Sequence, residues 1–280
     1  MTIPKRIISR IDIKNNTLVK GIHLEGLRVL GDPKEHAYKY FLEGIDEIHY
    51  QDVVASLYNR NQLDEVIEKT VRDIFVPISV GGGIRSLEDI DKILKLGADK
   101  VVINSAAVRN PEFIKEASDK YGSSTIGIAI EAIKYNENEY KILIESGREN
   151  TDLNLLKWLE TIQNCNAGEI IVTSIDKEGT KKGYDLNLCQ IVKNNSDIPI
   201  IAHGGAGKIL DIIELFNFSK VDAVSIATLL HYNYLNTDKK AINAGNYSYI
   251  NNLEKKINPN LNFIKDLKIT LRNNGINVRQ

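Results

Sequence analysis

Two glycine clusters, Gly81-Gly82-Gly83 and Gly204-Gly205-Ala206-Gly207, each follow a β-branched run and precede a helix-like segment. Without Cβ atoms a ligand can approach the backbone N–H groups closely, and a helix start adds partial positive charge. Both features suit phosphate. Gly82 and Gly83, with Asn104 and Ser105 at the end of the next run, form one expected cup. Gly204 and Gly205, with Ala227 and Thr228, form the other, and two cups would hold the two ends of an elongated bisphosphate. One such cluster is as often a tight turn; two of them make a stronger signal.

Asp12 and Glu131 each end an apolar run. A general acid and a general base facing each other over a substrate is what proton-transfer chemistry needs, and burial raises the pKa of one of them. The plainer reading makes each a loop cap or a lysine partner. Asp52 and Asp176 serve equally well as loop-holding groups or as substrate contacts. Lys20 is placed in a loop after the first run, where a mobile lysine closes over phosphate. The polar segment from Asp176 to Tyr184 reads as a ligand-facing loop, in which Gly179, Thr180 and Gly183 offer further donors.

Arg6, Glu47, Lys100 and Glu169 each stand at the start of a run. They suit a salt-bridged ring at the opposite end, serving either as closure or as a gate for a small molecule arriving from below. The five histidines form no metal-ligand grouping, and His203 and His231 fall near the second cup with a neutral hydrogen-bonding role at least as natural as catalysis. No cofactor or metal is expected.

The elements that position these groups alternate between short β-branched runs and longer amphipathic segments, the pattern of a parallel sheet with crossover helices. Eight runs are expected, at Arg6–Ile13, Glu47–Val54, Val76–Val80, Lys100–Asn104, Thr125–Ala132, Glu169–Ile175, Ile198–Ala202 and Ala223–Ile226. Helices are expected at Leu63–Phe75, Ser86–Leu96, Asn110–Tyr121 and Ile264–Asn273, the last stopped by Asn274-Gly275. Eight such units favour an α/β fold closed as one (β/α)8 TIM barrel over residues 1–280. Asp12 and Glu131, Asp52 and Asp176, Gly82 and Gly204, and Asn104 and Ala227 are separated by 119 to 124 positions, which suggests a twofold half-barrel repeat. Residues 232–262 read as a long excursion after the eighth strand.

Lys+Arg 36 against Asp+Glu 37 leaves a net charge of -1, against a nucleic-acid partner. The two cysteines, Cys165 and Cys189, fit no metal or disulfide pattern and point to a reducing cytoplasm. The N-terminus shows no leader-like apolar stretch, and no run reaches the length of a membrane helix.

Together these residues resemble the cyclase subunit of imidazole glycerol phosphate synthase, the HisF family. The resemblance is carried by Lys5 to Ile8, Ile11-Asp12-Ile13-Lys14, Val19-Lys20-Gly21, Gly31-Asp32-Pro33, Val80 to Ser86, Gly97 to Val101, Ile103 to Val108, Gly168-Glu169-Ile170, Asp176 to Tyr184, Gly204 to Gly207 and Asn274 to Arg279. It implies a barrel that receives ammonia from a separate glutaminase subunit docked on its floor. The ammonia reaches a bisphosphorylated ribulosyl-imidazole carboxamide, and cyclisation and cleavage give imidazole glycerol phosphate and aminoimidazole carboxamide ribotide. The first-strand acid of that pattern falls on Asp12, the lysine on Lys20, and the gate on Arg6, Glu47, Lys100 and Glu169. Three departures stand out: Glu131 where the family carries Asp, Arg10 where it usually carries Cys, and a longer excursion after His231. They are what an ammonia-delivering paralogue that amidinates surface sugars or flagellin would show. The related ribotide isomerase would not need the gate charges.

Overall fold

The computed structural model describes residues 3–55, 63–137, 139–235 and 262–279. In chain order the strands are β1 (Arg6–Lys14), β2 (Thr17–Ile22), β3 (Glu25–Gly31), β4 (Glu47–Asp52), β5 (Ile78–Gly81), β6 (Lys100–Ile103), β7 (Ile126–Lys134), β8 (Tyr140–Ile144), β9 (Glu149–Asn154), β10 (Glu169–Ser174), β11 (Ile200–His203) and β12 (Ala223–Ile226). The helices are α1 (Pro33–Leu42), α2 (Asp64–Thr70), α3 (Leu87–Lys95), α4 (Ser105–Arg109), α5 (Glu112–Tyr121), α6 (Leu155–Asn164), α7 (Leu186–Asn194), α8 (Ile209–Ser219), α9 (Thr228–Tyr234) and α10 (Phe263–Asn273).

Eight parallel strands run β1, β4, β5, β6, β7, β10, β11, β12 and close back onto β1. This is a (β/α)8 barrel, as the alternating pattern requires. Each expected strand is present and starts within two residues of its expected position. The displaced starts at β5 and β11 have a simple cause. Pro77 and Pro199 carry no N–H for the ladder, so the strands begin one residue later, while both proline carbonyls still accept from neighbouring strands at 3.0 Å.

Local signals end the helices where they should. Asp32 accepts from Glu35 N at α1, with Pro33 in the first turn, and Ser86 and Asp89 form a reciprocal capping box at α3. Asn274 and the left-handed Gly275 stop α10. The helix expected over Leu63–Phe75 stops at Thr70. Tyr232 to Tyr234 belong to α9 and not to an excursion, Asn262 caps α10, and the rest of the expected excursion lies outside the described residues.

Strict alternation divides each barrel strand. One set of side chains packs against the helices in a large apolar core. The other set fills the barrel, where Ile8, Val102, Ile171, Ile201 and Ala223, with Ala129, make an aliphatic plug. Below that plug lie charges; above it the inward residues turn polar.

Two antiparallel hairpins were not expected. β1 continues into β2 and β3, and β7 continues into β8 and β9. The first turn is Asn15-Asn16, both residues at positive φ, a two-residue connection whose sequence carries the signal. Both parent strands are nine residues long, so the same elaboration recurs in each half. This matches the half-barrel repeat.

Candidate active site

β1 sets the pattern of the mouth. Arg6, Ile8, Arg10 and Asp12 alternate onto the inner face, so the strand delivers a floor cation, a plug residue and then two charges. Arg10 points inward and is buried; its Nε donates to Asp12 Oδ1 at 2.8 Å. Lys20 lies 3.5 Å from Asp12 Oδ2 and is ion-paired to Glu178.

Lys20 therefore needs a different description from a mobile loop lysine. It sits within β2, is only 3% exposed, and is held between two carboxylates. Glu178 also accepts from Leu24 N at 3.0 Å, tying the first hairpin over the mouth. Glu178 was not singled out from the sequence, because it lies in a run of polar residues and its partners are over 150 positions away.

The two acids differ sharply. Burial pushes Asp12 upward, but Arg10 and Lys20 outweigh it and hold the carboxyl well below the usual range. Burial likewise raises Glu131, and here it prevails over Arg10, the Gly147 N–H at 2.9 Å and Asn104, carrying the carboxyl up to about 7. At neutral pH Asp12 is a carboxylate, while Glu131 is a carboxyl that can hold its proton near neutrality. Both line one small cavity together with Arg10, Lys20 and Gln51.

That cavity adjoins two others. A space of about 270 Å³ is lined by Arg10, Gly82, Gly83, Asn104, Ser105 and Glu131, and Asp52 and Arg109 also face it. Gly82 has φ +99°, and a Cβ there would lie 2.3 Å from the Asp52 carbonyl oxygen, so the turn admits glycine alone. Asp52 Oδ1 meanwhile accepts from Val54 N, holding that loop.

The second expected cup gathers Lys20, Gly179, Gly204, Gly205, Ala227 and Thr228, but encloses only about 10 Å³, the space of about one water. The two cups are unequal, which the near-symmetric sequence does not suggest. Of the loop after β10, Glu178 and Gly179 line the second cup, whereas Asp176, Thr180 and Gly183 do not. Gly183 N donates to Gly205 O at 2.9 Å, Thr180 Oγ1 donates to Lys177 O at 2.7 Å, and the exposed Asp176 accepts from Lys134 N at 2.7 Å. Those three groups hold loops through their hydrogen bonds, and none lines the described cups.

The buried histidines are neutral for physical reasons. His203 Nδ1 lies 3.0 Å from the Ser225 carbonyl, which only accepts, so the ring proton is there. Burial and Arg10 press its pKa well below the usual value. His203 lines the second cup, whereas His231 pairs with Tyr40 OH behind β1. His49, on the inner face of β4 next to Gln51, is pushed down to about 3 by burial and Arg10. The sequence signal for that face is Glu47-x-His49-x-Gln51, three polar residues at strand period. Among the described residues no group of His, Cys, Asp or Glu could hold a metal ion.

At the floor the four expected charges meet. Arg6 contacts Glu47 at 2.8 Å and Glu169 at 3.2 Å; Lys100 contacts Glu47 at 3.3 Å and Glu169 at 3.1 Å. Signs alternate round the ring, so each carboxylate faces two cations.

A closed α/β barrel that gathers carboxylates of opposite strength and glycine turns at the C-terminal ends of its strands has the form of a barrel enzyme acting on a small polar metabolite. The chain belongs to the histidine biosynthesis protein family, whose model matches residues 6–236. It is 41% identical over 278 residues to imidazole glycerol phosphate synthase subunit HisF of Petrotoga mobilis, covering 99% of both chains. It is 47% identical over 204 residues to the subunit of that name from Legionella pneumophila (73% of this chain, 96% of the relative). The Lactococcus lactis subsp. cremoris subunit is 44% identical over 239 residues (85% and 92%). The Petrotoga match runs through the segment after α9, so that length is shared with a HisF relative and does not mark a departure.

Proposed function

We propose that this chain is the cyclase subunit of an imidazole glycerol phosphate synthase. It converts a bisphosphorylated ribulosyl-imidazole carboxamide and ammonia to imidazole glycerol phosphate and aminoimidazole carboxamide ribotide. One observation carries the reading: a carboxylate and a protonatable carboxyl, Asp12 and Glu131, share a cavity that adjoins both glycine turns. Asp12 is the base, because two cations keep it ionised; Glu131 is the acid, because burial keeps its proton near neutral pH.

Gly82, Gly83, Asn104 and Ser105 take one phosphate in the open cup, and Gly204, Gly205, Ala227 and Thr228, with Lys20 and Gly179, take the other. The second cup has to widen to do so. Arg6, Glu47, Lys100 and Glu169 form the gate through which ammonia enters the barrel axis.

The ammonia source is a glutaminase subunit seated on the floor. Topology supports that face: Ile3 precedes β1, Phe75 precedes β5, and Leu42 and Phe218 end the helices leading into β4 and β12. All four are exposed apolar side chains, Ile3 at 88% and Phe75 at 79%. Apolar groups in water around a pore entrance are the composition of a docking surface. Among the described residues no helix is long and apolar enough to cross a membrane. Cys165 and Cys189 are unpaired, and we place the protein in the reducing cytoplasm.

The test supplies purified protein with ammonium salt and the ribulosyl intermediate and follows loss of substrate absorbance. Turnover in wild type that drops by 10²-fold or more in Asp12→Asn is expected. Wild type without turnover, or a variant that matches it, refutes the assignment.

A further inference from the structure

Arg10 is a charged side chain, 4% exposed, in the wall of both the main cavity and the acid–base cavity. A guanidinium carries five N–H donors. Arg10 Nε serves Asp12; among the described residues nothing accepts from Nη1 or Nη2. Guanidinium donors in a cavity wall with no protein acceptor are groups that a ligand in that cavity can complete. The fork cannot turn away, because Arg10 and Asp12 share the inner face of β1 and the Nε bond fixes the plane.

The position of the fork narrows what it takes. The phosphates of an elongated substrate go to the glycine turns on either side, so Arg10 faces the stretch between them. It touches Asp12 and lies in the same cavity as Glu131, beside the groups that would move protons. We propose that Arg10 is a catalytic electrophile: its two Nη groups hold the oxygen of the substrate's reacting ketone and stabilise the charge that develops there. This rests on the cyclase reading, whose ribulosyl substrate carries that ketone.

The step balances without further reagents. The ammonia lone pair forms the C–N bond, and the C=O π pair moves onto oxygen. That oxygen is held by Arg10 and takes the proton of the Glu131 carboxyl. The surplus proton on nitrogen passes to the Asp12 carboxylate. Arg10 thus has two functions on one side chain: Nε keeps Asp12 ionised, and the Nη edge receives the oxyanion.

The experiment measures ammonium-driven turnover of the full chain as wild type, Arg10→Ala, Arg10→Met and Arg10→Lys, with thermal unfolding as the fold control. Loss of one oxyanion donor costs about 10²–10³ in kcat. Arg10→Ala and Arg10→Met are therefore expected to lose at least a hundredfold in kcat with KM changed less than about fivefold. Ethylguanidinium in solution is expected to restore kcat of Arg10→Ala at least tenfold, and ethylammonium, with the charge but without the fork, much less. Arg10→Met fills the same volume and keeps the question open to measurement if the alanine variant folds poorly. A folded Arg10→Met within fivefold of wild-type kcat, or a loss confined to KM, overturns the proposal and leaves the cyclase reading intact. Wild type without turnover instead overturns the cyclase reading, and the ketone-directed role falls with it.

Discussion

Replacing Glu131 by glutamine isolates the titration of one buried carboxyl. The amide keeps the shape and can still accept the Gly147 N–H, but it cannot ionise. In wild type the folded-state pKa is raised from 4.5 to about 7, first by burial. Between those values the native chain binds more protons than the unfolded chain, so the sign is fixed: stability falls as pH rises through that window and levels off above about 7. A carboxyl titrating at 4.5 unfolded and about 7 folded costs wild type roughly 2–3 kcal/mol between pH 5 and pH 8. Urea unfolding of wild type and Glu131→Gln at those two pH values reads this directly. The stability gap should move by that amount in favour of the variant as pH rises. A gap that moves less than about 0.5 kcal/mol refutes a raised, buried acid at this position. With Glu131 as the proposed acid, wild-type kcat/KM should decline above pH 7 as it deprotonates, and Glu131→Gln should lose about 10²–10⁴-fold below pH 7 and progressively less above it.

Gly82→Ala forces a Cβ to 2.3 Å from the Asp52 carbonyl at φ +99°, so it should cost about 1–3 kcal/mol by thermal unfolding and raise KM more than kcat changes. Lys100→Met leaves Glu47 and Glu169 with Arg6 alone; ammonium-driven turnover should persist while glutamine-driven turnover with the glutaminase subunit falls at least tenfold, and equal loss in both assays refutes a gate. Phe75→Asp puts a charge on an exposed apolar position of the floor and should weaken association with the glutaminase at least tenfold by titration calorimetry, with ammonium-driven turnover retained.

Much of the site was legible in the chain because its residues break the local pattern. A charged residue at the start or end of a β-branched run has no place in a buried strand unless it meets a partner there. That logic singles out Asp12, Glu131 and all four floor charges, and the structure brings each of these sets together. The paired glycine clusters were legible for the same reason, since positive φ is required where they occur. Less visible were the hairpins. Leu18-Val19-Lys20-Gly21 reads as loop in the sequence because a short strand beyond the barrel carries no crossover helix to announce it, although Asn15-Asn16 marks its turn.

The sequence by itself determined the closed barrel, its repeated halves and the positions of the inward polar residues, because strand period and glycine conformation act over a few neighbouring residues. Only the tertiary structure decided what those residues do to one another. Asp12 and Glu131 are equivalent in the chain, and they differ in proton affinity because Arg10 and Lys20 converge on the first while burial dominates at the second. Lys20 is pinned, the cups differ in size, and Arg10 turns its fork into the mouth, through contacts such as Lys20 to Glu178 that join residues 158 positions apart. Electrostatic energy depends on distance and solvent exposure, and neither is set by separation along the chain.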